Sequence, residues 1–274
     1  MKIKFIIIII LFGIIESNAQ DIQLNISAGY AIPSFKQTVE GYNDIAVSEN
    51  QTYGTEASKA FSLGGGYYLN GALQYGFNEN IAIGLDLSYL IGQKVEFTQE
   101  GAVASVLKTT EQELFGNSIR LIPSIILRGE ENIIRPYLKL GFIMSKTTVE
   151  LHEKTTIQTD VTLREWEYKS DGNYGISFAG GLSYQMIDNT AIFIEFNYQS
   201  IKYKPTKSTL VKATVNGNNS LDNYLVIDKE ISYSSKIDLE YNISPDPNQP
   251  QLLHEIYLPF SSLIIQFGVH IKLL

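Results

Sequence analysis

The side chains of this 274-residue chain that could do chemistry are few, and most are poorly placed for catalysis. There is no cysteine, and the histidines are His152, His254 and His270. His152 stands between Glu150 and Glu153, and His254 beside Glu255. A histidine next to an acid is the raw material of a hydrolase pair or a metal site, but neither has a partner motif at a matching spacing. Gly64-Gly65-Gly66 lacks the strand–loop–helix setting of a phosphate cradle and reads as bending or close packing within a strand. No catalytic residue, cofactor or metal is therefore expected. A second group is more informative: Asn70, Asp86, Arg120, Lys139, Glu195 and Gln266 are polar residues embedded in apolar or small-residue stretches. Buried groups of this kind either satisfy one another or line a path for ions. Which of these applies depends on the elements that carry them.

Those elements are strands. In 81–91 the odd positions are Ile81, Ile83, Leu85, Leu87, Tyr89 and Ile91, against Ala82, Gly84, Asp86, Ser88 and Leu90. In 175–186 Ile176, Phe178, Leu182, Tyr184 and Met186 alternate with Gly, Ser, Ala and Gln, and 263–273 repeats the pattern. Similar runs lie near 21–34, 61–77, 115–128, 133–145 and 191–203. Side chains alternate faces along a strand, so the chain predicts eight strands, each with one apolar and one polar face.

The connections add an order. Three are short and turn-like: Asn78 to Asn80, Gly129 to Asn132, and Asp188 to Thr190. Four are long, near 35–60, 98–113, 146–172 and 204–250. Long and short alternate strictly, so all short turns fall at one end of an up-and-down sheet and all long loops at the other. That asymmetry predicts a transmembrane barrel with periplasmic turns and extracellular loops. Alternation within Thr147 to Leu163 and Lys207 to Val215 predicts hairpins that continue above the membrane. The 204–250 segment is long enough for a further membrane hairpin, which would make ten strands.

The polar face must point inward. It holds only seven charges, Asp86, Arg120, Arg128, Arg135, Lys139, Glu195 and Lys272, and is otherwise mostly Gly, Ala, Ser, Asn and Gln. A soluble barrel would be coated in charge, whereas small residues suit a narrow lumen and large aliphatics suit lipid. A mean hydropathy close to zero is thus an average over two opposite faces. At the start of the chain, Lys2 and Lys4 precede an apolar run from Phe5 to Ile15 and the small residues Ser17-Asn18-Ala19. This predicts a signal peptide over 1–19 and a barrel domain over 20–274. Without Lys2, Lys4 and Glu16, the 21 bases and 29 acids become 19 and 28, a charge of −9 that excludes a nucleic-acid partner.

Leu63-Gly64-Gly65-Gly66-Tyr67, Arg135-Pro136-Tyr137-Leu138-Lys139-Leu140-Gly141 and Leu258-Pro259-Phe260-Ser261-Ser262 resemble the small eight-stranded outer-membrane barrels of the OmpA, OmpX and OmpW type. The similarity is greatest to the branch common in Bacteroidetes, and it implies the outer membrane of a Gram-negative bacterium. The last strand resembles that family's assembly signal through Gln266, Gly268, Ile271 and Leu273, although it ends in Leu273-Leu274 rather than an aromatic. The resemblance implies outer-membrane lipid and the membrane's assembly machinery as partners.

Counting from the short turns puts Asn70, Asp86, Arg120, Lys139, Glu195 and Gln266 at similar depth in the lumen. Asp86 and Arg120 lie on neighbouring strands and are expected to pair, and Glu195 and Lys139 can meet across the bore. A plugged lumen and an ion or proton path both follow from such a set, with the plug favoured. His270 faces inward at the periplasmic end. Tyr42, Tyr53, Trp166, Tyr168, Tyr203, Tyr224, Tyr233 and Tyr241 supply aromatics to the long-loop end, either as a binding surface for a ligand or as packing between hairpins. The resulting expectation is a non-enzymatic structural or surface-interaction protein. A narrow channel for small hydrophobic molecules, implied by the OmpW-type resemblance, and an accessory part of a secretion or envelope-assembly machine remain open beside it.

Overall fold

Alternation becomes structure because each strand can give one face to lipid and the other to a shared interior. The computed structural model describes residues 21–34, 61–103, 106–130, 132–235 and 246–273. The expected signal peptide, Tyr42, Tyr53 and Tyr241 lie outside the described residues. The strands are β1 (Asp21–Pro33), β2 (Gly66–Gly76), β3 (Ile81–Gly92), β4 (Val95–Val103), β5 (Val106–Arg128), β6 (Ile134–Ile157), β7 (Asp160–Lys169), β8 (Asn173–Ile187), β9 (Thr190–Tyr203), β10 (Lys207–Val215), β11 (Asn218–Asn219), β12 (Glu230–Ser234), β13 (Gln251–His254), β14 (Leu258–Pro259) and β15 (Ser262–Lys272).

Eight of them close a ring. The order β1-β2-β3-β5-β6-β8-β9-β15 returns to β1 through the antiparallel pairing of Gln23 with Lys272 up to Pro33 with Ser262. The ring has eight strands, not ten, because residues 207–234 form strands that pair with β7 and with one another rather than with the ring. Asn78 shapes one short turn, its Oδ1 accepting from the N–H groups of Asn80 (2.9 Å) and Ile81 (2.8 Å). Pro123 marks a gap in one seam: the β5–β6 ladder stops at Leu121–Met144 and resumes at Ser124–Gly141. Proline has no N–H to donate toward β6.

The outer face is apolar from turn to rim. Ile81, Ile83, Leu85, Leu87, Tyr89 and Ile91 are all exposed on β3, as are Ile176, Phe178, Leu182 and Tyr184 on β8. The ten residue steps from Ile81 to Ile91, tilted about 40°, rise about 26 Å, which matches the hydrocarbon height that such barrels span. Aromatic pairs border the band, Tyr75 on Phe77 (5.3 Å) at the turn end and Tyr30 on Tyr67 (5.6 Å) and Phe142 on Tyr174 (5.9 Å) at the loop end. Among the described residues no helix is long and apolar enough to cross a membrane.

Above the band β5 and β6 run on without interruption and carry a sheet ordered β4-β5-β6-β7-β10-β12-β13. Of the 98–113 stretch, expected as a loop, residues 98–103 and 106–113 are paired strands of β4 and β5. The expected continuation of the hairpins is present in β6–β7 and β10. Between Leu221 and Lys229 lie one turn of 3-10 helix and one of α-helix.

Candidate functional site: the lumen and its cap

The inward residues form layers. Nearest the short turns, Arg128 donates Nη1 to both Asp21 oxygens (3.1 and 3.0 Å) and Nη2 to Gln74 (3.0 Å). Gln23, Gln74, Arg128, Arg135, Tyr137 and His270 line a pocket that opens at this end. The His270 ring stacks on Phe193 at 4.2 Å, and its Nδ1 lies 2.5 Å from Asn25 Oδ1. Lys272 ends β15 at this rim, opposite Gln23.

The next layer holds the buried charges. Asp86 and Glu195 project from β3 and β9, four strands apart in a ring of eight and therefore on opposite walls. Lys139, from β6 between them, donates to Asp86 Oδ1 at 2.5 Å and lies 4.0 Å from Glu195 Oε2. Asn70 Nδ2 donates to Asp86 (3.2 Å), while Tyr137 OH (3.0 Å), Gln266 Nε2 (2.5 Å) and Asn197 Nδ2 (3.4 Å) donate to Glu195. Gln266 in turn accepts from Ser27 Oγ at 3.1 Å. An isolated buried carboxylate costs several kcal/mol, and this density of donors offsets that cost.

Arg120 does not pair with Asp86, contrary to the sequence expectation. The register sets Arg120 beside Ser88 and Asp86 beside Ile122, so the guanidinium stands one layer higher. There it donates to Gln199 and, through Nε, to Ser118 (3.3 Å), and Gln199 passes its own Nε2–H to Tyr68 OH at 3.0 Å. Lys139, at the level of Asp86, takes that place. The two layers still balance, with Lys139 and Arg120 set against Asp86 and Glu195. Tyr68, Tyr137, Phe193 and Gln199 were not singled out from sequence; they share the inward parity of Asn70, Lys139 and Glu195, which is the signal that finds them.

The outer end of the bore is apolar and closed. Leu63 and Phe260 are buried, together with Leu90, Leu114, Ile143, Ile201, Tyr203 and Leu258. Leu63 belongs to a segment that turns inward ahead of β2, and Leu258 and Phe260 to one that turns inward ahead of β15. Leu63 N–H donates to Pro259 O (2.8 Å), Ser62 Oγ to Ser261 O (2.9 Å), and Phe260 N–H to Ile201 O (3.0 Å). Gly64 and Gly65 accordingly lie in a turn before β2, not within a strand. A Cβ on Gly64 would meet the carbonyl oxygens of Ser261 and Phe260 at 2.6 and 2.7 Å.

The remaining sequence candidates separate. Tyr168, Tyr203 and Tyr233 are buried in the upper core, with Tyr203 OH donating to Tyr168 O (2.8 Å), so they pack between hairpins and offer no exposed rings. Trp166 packs against that core, and Tyr224 lies over the Arg164 guanidinium at 5.7 Å. His152 faces Glu150 (3.7 Å) and the edge of Phe115, while Glu255 beside His254 binds Lys204 instead (2.6 Å). Among the described residues no group of three His, Asp or Glu side chains is placed to hold a metal ion. The four residues of the assembly-signal pattern divide between faces. Gln266 and Gly268 point inward, the latter leaving room for the Phe193 ring, while Ile271 and Leu273 are on the outward parity.

No curated protein matches the sequence. Among solved structures, the chain is similar to Neisserial surface protein A (NspA), at 11% identity, with 93% of this chain and 99% of that one covered and a TM-score of 0.39. It is also similar to CarO2 of Acinetobacter baumannii (11% identity, 91% and 99% covered, TM-score 0.33) and to CarO of the same organism (14%, 89% and 96%, 0.29). The model of the outer membrane protein beta-barrel domain matches residues 6–226, so the chain belongs to that family and resides in the bacterial outer membrane.

Proposed function

We propose that the protein is a non-catalytic barrel with a shut lumen, whose work is done by the sheet it raises above the membrane. The observation that carries this reading is the cap: Leu63 and Phe260, both buried, cover the bore above layers in which Asp21, Asp86 and Glu195 already have donors. A conducting path needs a continuous wet route, and the buried, mutually bonded Arg120, Gln199 and Tyr68 stand between the Asp86–Lys139–Glu195 layer and the cap. The raised sheet is a hydrogen-bonded scaffold that carries cross-strand pairs such as Lys154–Glu111 (2.8 Å) and Lys212–Glu165 (2.6 Å), which suits a surface that meets an external partner.

The test is paired. In planar bilayers the purified chain gives no steady conductance steps, and porin-sized steps would overturn the shut lumen. Cells carrying a chain with 207–234 replaced by a short linker, its barrel verified by heat-dependent gel mobility, lose adhesion that the intact chain confers. Equal adhesion would overturn the surface role.

A further inference from the structure

Six lysines of the upper barrel and its sheet are spoken for by acids. Lys94 binds Glu113 (2.5 Å), Lys169 binds Glu167 (3.1 Å) and Lys207 binds Glu230 (2.7 Å), in addition to the pairs of Lys154, Lys204 and Lys212. Lys108, Lys146, Lys202 and Lys229 have no such partner among the described residues; Lys108 and Lys229 belong to the raised part, which leaves Lys146 and Lys202 on the outer wall of the ring. Both are exposed, both point away from the lumen, and neither has an acid within ion-pairing distance among the described residues. Asp171, in the turn that enters β8, is the acid nearest in sequence to Tyr174 and pairs with neither.

Their depth is the same. Lys146 is twelve residues above Ile134 at the start of β6 (146 − 134), and Lys202 twelve above Thr190 at the start of β9 (202 − 190). Tyr174 on the strand between them is thirteen from Ile187 (187 − 174). With one strand intervening and a two-residue offset in register, the lysine backbones stand about 12 Å apart. Directly below them the wall is apolar: Met144, the Phe142–Tyr174 stack and Ile176 all face out. This is the height at which the aromatic border meets lipid headgroups. At the corresponding height elsewhere in the ring, β1 presents Ile32, β3 leads into the paired Lys94, and β5 presents Asn117.

We propose that the outer face of β6, β8 and β9 is a docking surface for a phosphate-bearing lipid of the outer leaflet. Lys146 and Lys202 hold the phosphate from either side, and the Phe142–Tyr174 stack supports the acyl chains beneath. Charge complementarity selects the occupant: two unpaired cations at headgroup depth over an aliphatic and aromatic wall match an anionic head on an apolar tail. The inference stands whether or not the lumen conducts.

Native mass spectrometry of the full chain, titrated with diphosphoryl lipid A in detergent, tests it. K146Q/K202Q weakens binding about tenfold or more, since each lysine near such a surface contributes roughly a factor of five. K146R/K202R retains binding, and so does K94Q/K212Q, which removes two paired lysines. Lipid A stripped of its phosphates binds the wild type as weakly as the intact lipid binds K146Q/K202Q. Unchanged binding by K146Q/K202Q, equal binding of the dephosphorylated lipid, or an equal loss in K94Q/K212Q would each overturn the site. Heat-dependent gel mobility confirms that every variant is a folded barrel.

Discussion

Lys139 reaches past the intervening strand β5 to donate to Asp86 at 2.5 Å, and the same ammonium lies 4.0 Å from Glu195 on the opposite wall. One cation thereby serves two carboxylates that enter the bore from opposed strands. Removing one member of a buried ionic set leaves the others uncompensated, at a cost of about 3–5 kcal/mol. Lys139→Met is accordingly expected to lower barrel stability by about that amount. Adding D86N should recover most of it, because the carboxylate that Lys139 binds is then neutral, while Glu195 keeps its three donors and is still balanced by Arg120 in the layer above. Urea titrations followed by heat-dependent gel mobility give the comparison, and a K139M barrel as stable as wild type would refute the bridging role.

Glycines on the two faces should answer differently to the same change. A side chain on Gly64 meets backbone oxygens of the cap at 2.6 and 2.7 Å, whereas nothing lies within 4 Å of the position a Cβ would take on the lipid-facing Gly71. Overpacking against backbone cannot be relieved by a rotamer change and costs about 1–3 kcal/mol or more. G64V should lose stability or fail to refold in detergent, and G71V should behave as wild type. Equal tolerance at both positions would mean that the cap segment can withdraw from Phe260 and Ser261.

Part of this architecture is legible in the sequence because a membrane imposes contrast. Ile81 to Ile91 and Leu263 to Leu273 alternate sharply, since one parity meets lipid and the other a narrow lumen. Where that contrast ends, so does the signal. Thr109, Thr110, Glu111, Gln112 and Glu113 continue β5 above the membrane, yet both parities are polar and the stretch looks like a loop. Partner choice in the lumen is hidden for another reason. Adjacent strands suggest Asp86 with Arg120, but register raises Arg120 by one layer, and the long stem of Lys139 spans two strands. The cap is harder still, because Gly64 owes its turn to Phe260 and Ser261, nearly two hundred residues away in the chain.

The Lys204–Glu255 pair at the upper rim should give a pH window. The hydrogen bond from Lys204 lowers the Glu255 carboxyl from its ordinary value, and the same bond raises the Lys204 ammonium. A lowered carboxylate contributes stability above its unfolded pKa, and that contribution is lost as pH falls through the folded one. A raised lysine contributes below its unfolded pKa, and its share is lost as pH rises through the folded one. The pair therefore holds from just above the carboxylate range to just below the lysine range. Hydrogen exchange at the Glu255 amide, bonded to Ser234 O at 3.2 Å, reports on it. Corrected for intrinsic rate, protection should drop in acid for wild type and stay flat for E255Q; a flat wild-type profile would show that the pair does not hold this segment.

The single tryptophan offers a separate view of the raised sheet. Trp166 on β7 packs against the upper core of Leu151, Tyr168, Ile231 and Tyr233, outside the lipid-facing band. That sheet is joined to the barrel by β5 and β6 but lacks the lipid that constrains the ring, and its exposed ion pairs contribute at most about 1 kcal/mol each. Regions with fewer constraints open at lower free energy than the global transition. The Trp166 emission of wild-type protein should therefore shift at lower urea than the loss of compact gel mobility. Leu151→Ala, which removes buried volume beside Trp166, should move the fluorescence transition by about 2–5 kcal/mol and leave the gel transition in place. Coincident transitions in both proteins would mean that sheet and barrel unfold as one body, and the raised strands would then be an extension of the barrel wall in energy as well as in hydrogen bonding.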